Sequence, residues 1–196
     1  MNPSVHLKLD KLAHKAQYKN KNQPFQVLIH SDKHHILFTY PSIQANPIFH
    51  IASIGKLLST VLILKAVEDH KLSLETKLTD HLDPSLLKGL FESDPSEITL
   101  LDCLTHRSGA SDFFEGKDAK GKPFLSMITE NPDTTWNAES LLEYTRNNMK
   151  PVGKKGEKFA YGDTAFMLAT MVLEKIEGKP FNVLLDEGLF KPLGMK

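Results

Sequence analysis

Apolar residues recur at helical spacing in several parts of the chain. Residues 5–19 carry an apolar stripe among charged positions, which predicts an amphipathic helix. Residues 53–69 present a broader apolar surface, so we expect a longer helix that begins at Ser53. The same periodicity predicts further helices over residues 138–149, 164–177 and 180–190.

Short alternating segments indicate one β-hairpin. Residues 26–30 and 35–40 are predicted strands, and residues 31–34 are the turn between them. We interpret residues 41–47 as a loop, and the glycine-containing stretch between residues 109 and 137 as a longer loop. Two strands do not make an independent sheet, so the sheet is the least complete part of the predicted fold.

Two helix termini carry specific signals. Thr99 and Asp102 have the spacing of a capping box, which predicts a short helix that reaches Thr105. Gly178 directly follows the helix predicted over residues 164–177 and is expected to close it, because glycine readily adopts the left-handed conformation.

Composition narrows the choice of partners. The 196 residues suffice for one well-buried domain, and 24 basic residues balance 24 acidic ones. This balance predicts neither a nucleic acid nor an anionic membrane surface as partner. The single cysteine, Cys103, excludes an internal disulfide and is expected to be a small core residue. None of the nine histidines has the spacing of a metal-binding motif, so no metal site is expected.

No segment is predicted to span a membrane. The longest apolar run, residues 57–67, contains polar side chains and is too short for a bilayer. Residues 1–21 carry charges throughout and lack the apolar core of a signal peptide. We therefore expect a cytoplasmic protein if Met1 is the native start, and an extracytoplasmic one if a signal peptide has been removed.

The pattern S-x-x-K occurs at Ser53 and again at Ser85. Lys56 shares a helix face with Ser53 and can reach its hydroxyl, at a helix N-terminus that offers backbone N–H groups to an oxyanion. We expect burial to lower the pKa of Lys56 so that it can accept a proton. Ser85 follows Pro84 in a polar segment without this context. The alternative interpretation is that Ser53 caps the helix and Lys56 is a solvated surface charge.

Tyr161 and Asp163 form a second candidate group, between a glycine-rich turn and a predicted helix. A phenol can take a serine proton and return it to a leaving group when a cation such as Lys56 lies beside it. The alternative interpretation is a core tyrosine followed by an aspartate that caps the helix.

Several segments stand in an order that is typical of one family: residues 49–56, 68–74, 98–109, 156–163 and 190–195. Together they resemble the serine β-lactamases and penicillin-binding proteins, and within them the branch of class C β-lactamases, D-aminoacyl carboxypeptidases and esterases. Asp163 stands where this family's second motif usually ends in Asn, and His70 where relatives often have Gly. The third motif, a Lys or His followed by a small residue and Gly, would follow well beyond Met195.

The resemblance implies an α/β (α+β) fold, in which helices and a helical region flank an antiparallel sheet. Residues 1–24 are then an N-terminal helix and lead-in. Residues 25–196 are the N-terminal portion of a single catalytic domain that lacks its C-terminal strands. We expect this missing half of the fold to be the chain's structural partner, and residues 1–196 alone not to be a competent enzyme.

The resemblance also implies acyl transfer through a covalent Ser53 ester, without a cofactor. Lys56 and Tyr161 would share the proton transfers, and the Ser53 N–H would bind the oxyanion. β-Lactams, D-amino-acid peptides and small esters are the candidate small-molecule or peptide substrates. An ionised Asp163 would pair with Lys56 and favour esters or substrates with a free amine.

The alternative is a catalytically silent binding or sensor module that kept the fold. An α/β-hydrolase is not expected, because no serine has the flanks of a Gly-x-Ser-x-Gly elbow.

Overall fold

The structure is a computed structural model that describes residues 3–19, 25–41 and 50–195. Contacts divide the chain into two units, residues 1–50 and residues 51–196. The loop expected over residues 41–47 lies, apart from its first residue, outside the described residues. The helices and strands, in chain order, are α1 (Pro3–Lys19), β1 (Val27–Ser31), β2 (Ile36–Tyr40), α2 (Ile54–Glu68), α3 (Pro84–Leu87), α4 (Leu100–Leu104), α5 (Phe124–Glu130), α6 (Ala138–Asn148), α7 (Thr164–Glu177) and α8 (Phe181–Leu185).

In the first unit, α1 packs against a two-stranded antiparallel sheet. β1 and β2 pair in a register that runs from Val27 opposite Tyr40 to Ser31 opposite Ile36. The buried ring of Phe38 lies 5.4 Å from the ring of His6 of α1, between centroids. The hairpin is confirmed, with each strand beginning one residue later than predicted.

In the second unit, α2, α4 and α7 enclose the main hydrophobic core. Its buried side chains include Leu62, Ile63 and Ala66 of α2, Leu100 and Cys103 of α4, and Leu168, Ala169 and Val172 of α7. Cys103 is completely buried, as predicted, and burial raises the pKa of its thiol, which keeps it protonated and unreactive.

The predicted helix termini are largely confirmed. α7 has the predicted bounds, and Gly178 follows it in the left-handed conformation with φ of +63°. Thr99 and Asp102 form the predicted capping box, in which the Thr99 N–H donates to Asp102 Oδ2 at 2.9 Å.

Two predicted elements, one helix and one loop, differ in part from the structure. The helix predicted over residues 180–190 is α-helical only to Leu185, and Asp186–Phe190 forms a wider π-helical turn. Within that turn Gly188 permits a close approach, since a Cβ there would lie 2.6 Å from Leu62 Cδ2. α5 falls inside the stretch interpreted as a loop. Its Phe124 is buried in a separate aromatic cluster, 5.0 Å from the ring of Tyr144.

The mixed architecture of helices and an antiparallel sheet agrees with the predicted fold class. None of the helices in the described ranges is long and apolar enough to cross a membrane. A domain boundary between residues 24 and 25 stays a prediction.

Candidate active site

The site residues predicted from the sequence lie together in the second unit: Ser53, Lys56, Tyr161 and Asp163. The hydroxyl groups of Tyr161 and Ser53 form a hydrogen bond with 2.6 Å between their oxygens. The Lys56 ammonium donates to Ser53 Oγ at 3.4 Å and forms an ion pair with the Asp163 carboxylate. Side chains from the start of α2 and the start of α7 therefore form one polar cluster.

Ser53 occupies the N-cap position of α2, but its side chain makes no capping hydrogen bond. Ala52 precedes it with φ of +46°, a conformation that costs a residue with a Cβ roughly 1–2 kcal/mol. The Ser53 hydroxyl is instead bound by Tyr161 and Lys56. The interpretation of Ser53 as a side-chain cap is therefore wrong.

Lys56 is enclosed by aromatic rings and paired with a carboxylate. Its side chain is 14% exposed, and its Nζ lies 4.8 Å from the ring centre of Tyr161 and 5.8 Å from that of Phe166. It is not the solvated surface charge of the alternative interpretation.

The charge state of Lys56 differs from the one first expected. Burial by itself lowers the pKa of Lys56, but its hydrogen bonds with Asp163 and Tyr161 and their charges outweigh this effect. The pKa of Lys56 therefore lies above its ordinary value, and the expectation of a lowered pKa is wrong. The predicted pairing of Asp163 with Lys56 is confirmed, and at neutral pH Lys56 is an ammonium ion.

Backbone hydrogen bonds join the loop at residues 106–109 to the loop at residues 152–160 and position Tyr161 beside the start of α2. The N–H of Val152 donates to Gly109 O at 3.0 Å, and the N–H of Ala160 donates to His106 O at 2.8 Å. Gly109 has φ of +78°, and a Cβ there would lie 2.2 Å from a backbone oxygen of the opposite loop. A glycine at this position is therefore required for the two loops to meet.

Asp163 is the N-cap residue of α7, yet it does not cap that helix. Asp112 does so instead, because its Oδ1 accepts from the N–H of Asp163 at 2.6 Å and from the N–H of Thr164 at 3.3 Å. A Cβ on Gly162 would lie 3.1 Å from Asp112 Cβ, so the glycine allows this approach. The interpretation of Asp163 as a cap is wrong, and its carboxylate pairs with Lys56.

His106 belongs to no motif that the sequence assigns to the site, yet it contacts the Tyr161 segment. Its Nδ1 accepts a hydrogen bond from the N–H of Gly162 at 3.2 Å, and its ring lies 4.5 Å from that of Tyr161. Burial and the charge of Lys56 lower the pKa of His106 below 6.5, so the imidazole is neutral at neutral pH. Asp112 and His106 are thus the site neighbours that sequence reasoning missed.

The second S-x-x-K match has no comparable surroundings. Ser85 is exposed on the one-turn helix α3, where its N–H donates to Asp83 Oδ1 at 2.8 Å. Lys88 at the end of this turn is also exposed. Across the described part of the chain, no group of three or more His, Cys, Asp or Glu side chains is arranged to hold a metal ion.

A serine at a helix start, a lysine one turn later and a tyrosine from a distant loop are typical of serine hydrolases with the S-x-x-K motif. Comparison with known families agrees with this class. The profile described as "Beta-lactamase" matches residues 26–196, and the chain belongs to the β-lactamase family.

Known proteins similar to the chain include hydrolases that act on D-configured substrates by name. The D-alanyl-D-alanine-carboxypeptidase/endopeptidase AmpH of Escherichia coli (strain K12) is 27% identical over 153 residues, which are 78% of this chain and 37% of AmpH. A D-stereospecific amidohydrolase from Streptomyces sp. has a similar structure, with a TM-score of 0.66 and 25% identity over 74% of this chain and 42% of that one.

A similar fold also occurs in the octameric penicillin-binding protein homologue from Pyrococcus abyssi. The TM-score is 0.74 and the identity 22%, over the whole of this chain and 44% of that one. In each of these comparisons the chain spans less than half the length of the protein it matches.

Proposed function

We propose that Ser53 is the nucleophile of a serine hydrolase that works by acyl transfer. The observation that carries this proposal is the cluster at the start of α2, in which the Ser53 hydroxyl is released from capping and bonded to Tyr161 at 2.6 Å. Membership of the β-lactamase family and the hydrolase names of AmpH and the amidohydrolase support it.

In the proposed reaction, Tyr161 first gives its own hydroxyl proton to solvent water. Ser53 Oγ then forms a bond to the substrate carbonyl carbon while its proton moves to the Tyr161 phenolate oxygen. Lys56 stays an ammonium ion, and its charge stabilises the Tyr161 phenolate that receives the proton. The Ser53 N–H, at the N-terminus of α2, donates to the oxyanion that develops on the carbonyl.

The tetrahedral intermediate then collapses. The bond from the carbonyl carbon to the leaving nitrogen or oxygen breaks, and Tyr161 returns its proton to the leaving group. Water attacks the resulting Ser53 ester with Tyr161 again as base, and the proton returns to Ser53 Oγ as the acid product leaves. Every atom transferred comes from Ser53, the substrate or water, so no cofactor takes part.

The substrates we propose share an attackable carbonyl: β-lactams, D-amino-acid peptides and amides, and small esters. The names of AmpH and of the amidohydrolase support the D-amino-acid peptides and amides among these substrates. Asp163 favours esters and substrates with a free amine over acylamino β-lactams. An ionised carboxylate accepts hydrogen bonds from an ammonium group but offers no donor to an amide carbonyl.

Labelling with a fluorescent fluorophosphonate tests the proposal. The intact protein should be labelled covalently, Ser53→Ala should abolish the label, and Ser85→Ala should keep it because Ser85 lies outside the cluster. Label that survives the loss of Ser53 would overturn the assignment of the nucleophile. An intact protein that binds substrate analogues but takes no label would instead be the silent binding module.

A further inference from the structure

His106 contacts the Tyr161 segment through both its backbone and its ring. Its backbone oxygen accepts from the N–H of Ala160, and its Nδ1 accepts from the N–H of Gly162, so it holds the residues on both sides of Tyr161. The ring itself lies against the ring of Tyr161 at 4.5 Å.

The backbone of His106 is held in an unusual conformation. Its φ is +57°, in the left-handed region that residues with a Cβ rarely adopt. In a residue other than glycine such a conformation persists only when the surroundings determine it, and here it aims the imidazole at Gly162 and Tyr161.

The hydrogen bond from Gly162 requires an imidazole without a proton on Nδ1. The neutral ring with its proton on Nε2 meets this requirement, whereas the imidazolium ion carries protons on both nitrogens and has no acceptor. Protonation would also place a second positive charge near the Lys56 ammonium. The charged groups that act on His106 are Lys56, which opposes its protonation, and Asp163 and Asp112, which favour it.

We propose that His106 is a positioning residue for Tyr161, and that acylation of Ser53 requires its neutral form. The inference rests on the proposed function of the site and adds a pH dependence to it. As the pH falls and the imidazole gains a proton, the bond to Gly162 is lost and Tyr161 is no longer held 2.6 Å from Ser53.

The variant His106→Asn can keep an acceptor for the Gly162 N–H while removing the group that gains a proton. Asparagine tolerates the left-handed conformation, offers an amide oxygen as acceptor and does not titrate. His106→Ala removes the acceptor as well. His70→Asn is a matched control, because His70 has φ of +56°, is exposed and lies outside the site.

The experiment measures the rate constant of fluorophosphonate labelling at Ser53 in the intact protein between roughly pH 5 and pH 8. The ratio of the wild-type rate to the His106→Asn rate should fall about tenfold for each pH unit below the pKa of His106. The corresponding ratio for His70→Asn should stay constant. At neutral pH, His106→Asn should be labelled at least several-fold faster than His106→Ala.

A wild-type to His106→Asn ratio that does not change with pH would overturn the inference, as would equal rates for the Asn and Ala variants. The proposed function fails by a different outcome, in which Ser53 takes no label at any pH. In that event nitrogen NMR of the His106 ring decides. An unprotonated Nδ1 at neutral pH supports the positioning contact, and a protonated Nδ1 refutes it.

Discussion

Asp112 accepts a hydrogen bond from the backbone N–H of Asp163 at 2.6 Å and thereby caps α7 in place of the residue at its N-cap position. Ser53 likewise stands at the N-cap of α2 without capping it. Both side chains instead accept hydrogen bonds from the Lys56 ammonium group, which therefore links the starts of the two helices. Positions that usually stabilise a helix therefore supply the polar groups of the site.

Ser53→Ala should leave the stability of the fold nearly unchanged, within about 0.5 kcal/mol, because no capping hydrogen bond is lost. Thr99→Ala should lower the free energy of unfolding by about 0.5–2 kcal/mol, since Thr99 caps α4 and is buried. Urea denaturation of both variants measures the difference. Equal losses would mean that Ser53 acts as a structural cap after all.

Tyr161→Phe should reduce the labelling rate of Ser53 by about a hundredfold to ten-thousandfold, because it removes the group that accepts the serine proton. Tyr144→Phe is the matched control. The Tyr144 hydroxyl is buried without a hydrogen-bond partner among the described residues, so its loss should leave labelling unchanged. A Tyr161→Phe variant with wild-type rates would assign the proton transfer to another group.

Asp163→Asn should raise β-lactam turnover relative to ester turnover. The amide can donate to an acylamino carbonyl, whereas the carboxylate cannot. The same change weakens the ion pair with Lys56 for every substrate, so the ratio of the two activities is the informative measurement. Equal changes in both activities would show that Asp163 serves only to hold Lys56.

How far the sequence predicts this site depends on how local each interaction is. The pairing of Ser53 with Lys56 is within reach of sequence reasoning, because residues three apart share a helix face. Tyr161 was singled out as a candidate from its local context, but only the resemblance favoured a role for it over packing in the core. Capping of α7 by Asp112 could not be predicted from the sequence. Asp112 lies 51 residues before Asp163, and every local signal favours Asp163 as the cap.

Two errors have the same physical origin. Burial was expected to lower the pKa of Lys56, but the ion pair with Asp163 from a distant segment, itself expected from the sequence, reverses the sign. α5 was interpreted as a loop because glycines precede it, whereas packing of Phe124 against Trp136 and Tyr144 stabilises a helix there. In both cases a long-range contact outweighs the local pattern.

The stability of the protein should depend on the protonation of His106. Its pKa lies below its ordinary value of 6.5, so the folded state disfavours the imidazolium. The stability that the neutral imidazole contributes to the folded state is fully present above about pH 6.5, and it is lost as the pH falls through the pKa of His106 in the folded state. The difference in Tm between wild type and His106→Asn should therefore shrink between about pH 7 and pH 5. A constant difference would show that His106 does not titrate with folding.

The most direct test of the proposed chemistry is to locate the acyl group. The intact protein is incubated with a fluorescent penicillin and with an activated D-alanyl ester, quenched in acid, digested and mapped by mass spectrometry. We predict one adduct per chain, on Ser53, which accumulates in the wild type and is absent from Ser53→Ala. An adduct on any other residue, or turnover of either substrate without an adduct on Ser53 under any quench condition, would contradict acyl transfer through this serine.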